Sequence, residues 1–233
     1  MNRITTKLLT LLLGWASPTI QSYGQSPFQN LDFEDGVFIS IPGDPYGVRF
    51  GPAMPGWTGS YATNVTGRIT YNTLSLGTAK ISILGPDNPA ANRLHGHYYL
   101  VLQYGSNPYG VPPQISPSLV QTGMIHATAR SIRFYSTSPL SSPFLVSFHE
   151  QPIGLSLFGP ATDANGEAYI WGGDISAFAG RTGRLRFNGS GFLDYIQFSP
   201  TPIPEPSVAM MLAPGMLLLF LRNRSPIRLE SLP

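Results

Sequence analysis

The chain has no cysteine, which excludes disulfides, thiol catalysis, iron–sulfur clusters and cysteine-ligated zinc, and leaves the redox compartment open. Charge is scarce too. Asp, Glu, Lys and Arg make up 11% of the 233 residues, against about 25% in an average soluble domain. Coiled coils and long amphipathic helices need runs rich in Glu, Lys and Arg, so this composition argues against both. A basic stripe is also missing. Of the 14 Lys and Arg residues, Arg3, Lys7, Arg222, Arg224 and Arg228 lie near the ends; the 9 left between Gln25 and Pro204 face 10 acids. The net charge of +2 therefore belongs to the termini, and the body offers no phosphate backbone a track to follow, so nucleic acid is not an expected partner. No Gly-x-Ser-x-Gly elbow, His-Glu-x-x-His pair or phosphate-binding glycine loop occurs. No internal repeat is visible, which counts against a propeller or solenoid.

What the chain does have is 25 Gly, 23 Pro and 42% hydrophobic residues. That is enough apolar material for a core and too much for charge-driven disorder, and the turn residues suit short strands. Between residues 25 and 199 the apolar residues alternate. Ile132 and Phe134 alternate with Ser131, Arg133 and Tyr135; Phe144, Val146 and Phe148 with Leu145, Ser147 and His149; Leu185 and Phe187 with Arg184 and Arg186. Each reads as a strand with one wet face. His97 to Gln103 is apolar on both sides and reads as a central or core strand. Turn clusters at Pro42–Asp44, Gly85–Pro89, Gly105–Pro113, Ser138–Pro143 and Ala161–Gly166 punctuate these runs. Their spacing predicts an all-β fold, a single sandwich domain over 25–199.

The two ends read as addressing segments. Arg3 and Lys7, the apolar Leu8 to Trp15, and Ser22-Tyr23-Gly24 have the pattern of a signal peptide helix over 1–24, with cleavage leaving Gln25 first. An apolar run of about 8 residues is far short of the roughly 20 a bilayer-spanning helix needs. At the other end, a Pro-rich linker (200–206) leads into a short hydrophobic helix and basic cluster (207–224), followed by a tail (225–233). Val208 to Leu221 would make about 21 Å of helix, less than the roughly 30 Å hydrocarbon core, and Pro214 interrupts it. Arg222 and Arg224 just beyond the run would stay on the cytoplasmic side, leaving the body to face outward.

Pro204-Glu205-Pro206, then an apolar run, then Arg222-Asn223-Arg224, resembles the PEP-CTERM sorting signal of Gram-negative bacteria. The resemblance implies a protein exported to the inner membrane and recognised there by an exosortase, a membrane enzyme that cuts near the motif. It also implies a final place on the cell surface or in an exopolysaccharide and biofilm matrix. Within the body, Asn30-Leu31-Asp32-Phe33-Glu34, Pro55-Gly56-Trp57, Gln121-Thr122-Gly123-Met124-Ile125, Asp174 to Gly180, and Leu193 to Phe198 resemble the galactose-binding-like jelly roll carried by many such proteins. In that fold the first and last strands lie close together, which would bring Asp32 or Glu34 near Asp194.

Candidate sites are few. On the last strand Asp194, Ile196 and Phe198 share a face by alternation, so an inward Ile196 implies an inward acid that needs backbone donors, an Arg or a cation. The jelly-roll resemblance implies a structural calcium near the joined termini, for which Asp32, Glu34, Asp35 and Asp194 are the candidate ligands. The alternative is an Asp that closes a turn through backbone hydrogen bonds. His95 and His97, on a strand, would share a face as a metal site requires, but no third ligand is evident; His126 and His149 stand apart. Trp57, Tyr61, Tyr104, Tyr109 and Trp171 lie beside Gly and Pro and offer flat faces to sugar rings, although core or edge packing is the preferred reading for Trp57 and Trp171. The expected function is non-catalytic association with carbohydrate or exopolysaccharide, with no catalytic residues and no required cofactor. A secreted glycan-active enzyme with two carboxylates in one cleft, and a purely structural matrix subunit, are the alternatives.

Overall fold

A computed structural model describes residues 27–203 apart from 76, 89–93, 109–113, 139 and 141. The signal peptide, the Pro204-Glu205-Pro206 motif, the apolar run, Arg222, Arg224 and the tail lie outside the described residues. Among the described residues, no helix is long and apolar enough to cross a membrane.

The chain folds as an all-β sandwich of two open sheets. In spatial order the larger sheet runs β1 (Gly47–Arg49), β4 (Arg68–Tyr71), β5 (Lys80–Leu84), β6 (Tyr99–Gln103), β14 (Gly191–Ser199), β8 (Ser131–Ser136), β12 (Tyr169–Asp174) and β11 (Leu155–Pro160). The smaller runs β10 (Gln151–Ile153), β9 (Phe144–Phe148), β13 (Thr182–Gly189), β7 (Pro117–Met124), β2 (Thr58–Tyr61) and β3 (Asn64–Thr66). The last strand, β14, sits in the middle of the larger sheet between β6 and β8.

Alternation supplies the core. Leu119 of β7, Phe144, Val146 and Phe148 of β9, and Leu185 and Phe187 of β13 project from the smaller sheet and join Ile81, Ile83, Leu100, Leu102, Ile132 and Phe134 of the larger one in a single buried cluster. Phe187 meets Phe134 edge to face, with ring centroids 5.5 Å apart. Each such side chain contributes about 1.5–3 kcal/mol by leaving water, which lets short strands form a stable sandwich.

The start of the chain is tied to this frame by side chains rather than by a long strand. Gln121 in β7 mimics a peptide unit, accepting from the Gln29 N–H at 2.5 Å and donating to its carbonyl at 2.9 Å. Trp57 Nε1 donates to the Asn30 carbonyl at 3.0 Å. The Phe28 ring lies over Gly123, where a Cβ would come within 2.8 Å of it, so only glycine leaves room. Ile196 N–H donates to the Leu31 carbonyl at 2.9 Å, joining the first segment to the last strand as expected.

Two expectations change. The alternation in β8 predicts one wet face, yet Ser131 and Tyr135 on that face are buried. Tyr135 is covered by a second apolar layer, in which Leu94, Ala161 and Ala168 lie over Tyr99, Val101 and Tyr135 on the outer side of the larger sheet, and Ser131 Oγ donates to the Thr201 carbonyl at 2.8 Å. These covering segments are bonded to each other, with Asn165 N–H donating to the Leu94 carbonyl at 3.2 Å. The strand expected from His97 begins at Tyr99 instead, because Gly96 turns with φ +58° and residues 94–97 form bends. β9 and β13 keep the expected wet face.

Candidate functional site

The acids near the joined termini do gather, in a different arrangement from the one alternation predicts. Leu193 and Ile196 both enter the core between the sheets, because β14 is bulged after Asp194, where Tyr195 takes φ +48°. The bulge breaks the period of two. Asp194 is therefore turned to the face opposite Ile196, under the covering segments, where it is fully buried. It accepts from the backbone N–H of His95 at 2.8 Å and of Tyr195 at 2.7 Å. Burial pushes its carboxyl up to about 8, against the pull of those two donors and with a further push from Glu34 and Asp32.

Glu34 is used in the same way. Its Oε1 accepts from the N–H groups of His97 at 2.6 Å and Tyr98 at 2.8 Å, and its Oε2 lies 3.3 Å from His97 Nδ1. Asp32 Oδ1 lies 3.5 Å from the Glu34 N–H, and the Asp35 N–H donates to Asn30 Oδ1 at 3.0 Å. Among the described residues, no group of three or more His, Cys, Asp or Glu is placed to hold a metal ion. Asp194 and Glu34 are thus backbone ties for the 94–98 segment, while Asp32 faces the Glu34 N–H. The histidine pair is also divided: His95 stacks on Tyr195 with centroids 3.7 Å apart, while His97 is exposed beside Glu34. The bends at 94–97 replace the strand that would have aligned the two rings.

The aromatic candidates are mostly structural. Trp57, Tyr61 and Trp171 are buried, and the Trp171 indole N–H donates to the Ser138 carbonyl at 2.8 Å. All three belong to the core cluster between the sheets. Tyr104 is half exposed, and Tyr109 lies outside the described residues.

A different surface has the form of a binding site. On the outer side of the smaller sheet a groove of about 560 Å³ crosses β3, β2, β7 and β13. The pairing register explains its floor: Thr58 is opposite Val120, Val120 opposite Arg186, and Thr122 opposite Arg184. Inward Leu119, Leu185 and Phe187 force these neighbours outward. Beside it, Ser60 and Ser118 share a hydrogen bond at 2.8 Å. The described lining holds hydroxyls, small apolar groups, an amide and two guanidiniums, with neither an aromatic ring nor a carboxylate.

No family model, curated protein or solved structure matches the chain. The site therefore rests on its own chemistry. A second groove of about 550 Å³ includes Arg68 and Lys80, but Arg68 is already paired with Asp44, and burial lowers the Lys80 pKa. In the first groove, a cationic, hydroxyl-lined floor can hold a polar ligand through hydrogen bonds and charge, and it lacks the paired acids that glycoside hydrolysis requires. The sequence carried a signal for it in the outward Arg184 and Arg186. Their meeting with Thr58 and Thr122 depends on a strand order that local patterning does not encode.

Proposed function

We propose that the chain is an exported, non-catalytic cell-surface or matrix protein, sorted through its PEP-CTERM signal, whose galactose-binding-like jelly roll associates with exopolysaccharide. The observation that supports the sorting part is where the last described strand ends. β14 stops at Ser199, and Thr201 still accepts a hydrogen bond from Ser131 Oγ at 2.8 Å. The Pro-Glu-Pro motif begins at residue 204. Cleavage at the motif would leave every described strand in place, so a membrane-delivered precursor can become a free folded domain. The close approach of the Leu31 segment to β14 supports the jelly-roll reading. Polysaccharide association is supported by the open, hydroxyl-lined groove on the smaller sheet. Mass spectrometry of both termini, from cells with and without the sorting protease, tests the sorting. The expected mature form starts near Gln25 and ends near Pro204–Pro206 only when the protease is present; a chain intact to Pro233 in both strains would contradict it.

A further inference from the structure

Within the polysaccharide-associated reading, on which this inference rests, we infer that the groove on the smaller sheet selects carboxylated sugars, with Arg184 and Arg186 as the carboxylate-binding residues and Glu150 as a resident competitor for them. Arg184 and Arg186 are two apart on β13 and project to the same side, so their Cα atoms are about 7 Å apart along the strand. One acid serves both. Arg186 Nη2 donates to Glu150 Oε1 at 3.2 Å, and Arg184 Nη1 lies 3.6 Å from the same oxygen.

A single carboxylate shared by two guanidiniums leaves one positive charge unmatched, in a body where acids outnumber bases by 10 to 9 overall. It also leaves donors over. Arg186 Nε is shielded from solvent and has no hydrogen-bond partner, although a guanidinium favours a two-pronged contact with a carboxylate. The site is thus short of one acceptor bearing negative charge. The groove floor supplies the rest of a sugar's needs, since Thr58 and Thr122 line it with hydroxyls that both donate and accept. Among the described residues no aromatic ring lines the groove, so charge and hydrogen bonding, not ring stacking, would decide which sugar binds.

Glu150 reaches the arginines from an unusual turn. His149 and Glu150 join β9 to β10 with φ +51° and +63°, and the pair Phe148–Gln151 closes the hairpin. Two-residue turns of this kind favour Asn-Gly, and residues other than glycine are strained there. The turn holds a half-exposed carboxylate beside the guanidiniums while its own solvation stays easy. Such a group can swing away when an external carboxylate arrives, because exposed ion pairs are worth little. Glu150 would therefore weaken binding of acidic sugars and help reject neutral ones, for which the guanidiniums would remain occupied.

The test uses the purified full chain in affinity electrophoresis, with alginate as a polyuronate and dextran as a neutral polymer. Alginate should retard the chain and dextran should not, and retardation should fade with salt. Arg184→Gln with Arg186→Gln should weaken alginate binding about tenfold or more, with the melting temperature unchanged as a check on folding. Glu150→Gln should tighten it about threefold, an effect that a merely structural Glu150 would not produce. Undiminished binding by the folded arginine variant, or weaker binding by Glu150→Gln, would overturn the inference. Retardation by dextran alone would overturn it while leaving polysaccharide association standing; retardation by neither polymer would overturn both.

Discussion

The two outer faces of the sandwich are built from similar alternating strands and end up unlike. On the larger sheet, Tyr99 and Val101 of β6 and Tyr135 of β8 face outward, and Leu94, Ala161 and Ala168 fold over them. On the smaller sheet, Thr58, Ser60, Thr122, Arg184 and Arg186 face outward together with Val65, Val120 and Leu145, and no second cluster forms over them among the described residues. A contiguous outward patch of large apolar and aromatic residues is thus covered and becomes a second core, while a face on which isolated apolar residues alternate with hydroxyls and guanidiniums stays open. Two acids belong to the covered face: the buried Asp194 and the partly exposed Glu34 hold its loop by accepting backbone N–H groups. The arginines belong to the open one.

The sharpest way to break this comparison is to shorten one leucine on each face. Leu94 is fully buried and Leu145 is 77% exposed. Leu94→Ala should lower the unfolding free energy by about 3 kcal/mol and Leu145→Ala by less than about 0.5 kcal/mol, measured by urea denaturation. Similar losses at both sites would mean that the covered face is not a second core. Next in size is the pH response of Asp194. Its carboxyl titrates near 8 when folded, against an ordinary value of 3.8. The unfolded chain therefore releases this proton first. The stability linked to this group is complete below about pH 4, declines as pH rises, and is gone once pH passes about 8. Asp194→Asn should remove this part of the decline from melting temperatures measured between pH 5 and 9; an unchanged slope would show that the buried acid is not its source. Smallest is the effect of EDTA. With Asp32, Glu34 and Asp194 tied to backbone groups, a chelator should move the melting temperature by less than about 1 °C, whereas loss of a bound ion would lower it by several degrees.

Much of the sandwich was legible in the sequence. The strands β9 and β13 appear where Phe144–Phe148 and Leu185–Phe187 alternate, and the approach of Leu31 to β14 matches the expected meeting of first and last segments. Three features were not legible, each for a physical reason. The burial of β8 on both faces depends on loops distant in sequence. The turning of Asp194 away from Ile196 depends on one bulge at Tyr195, which shifts the period by a residue without any glycine to mark it. The groove depends on β13, β7 and β2 lying side by side, a strand order set by the packing of the whole core.

The most direct test of the contrast is hydroxyl-radical footprinting of the full chain with and without alginate. In the free protein, Val65 and Leu145 on the smaller sheet should label readily, and Leu94 and Tyr99 should not. Alginate should then protect Val65 at the groove and change nothing around residues 94–98 and 161–168. Labelling of Leu94 in the free chain, or protection that falls on the covering segments instead of Val65, would contradict the account.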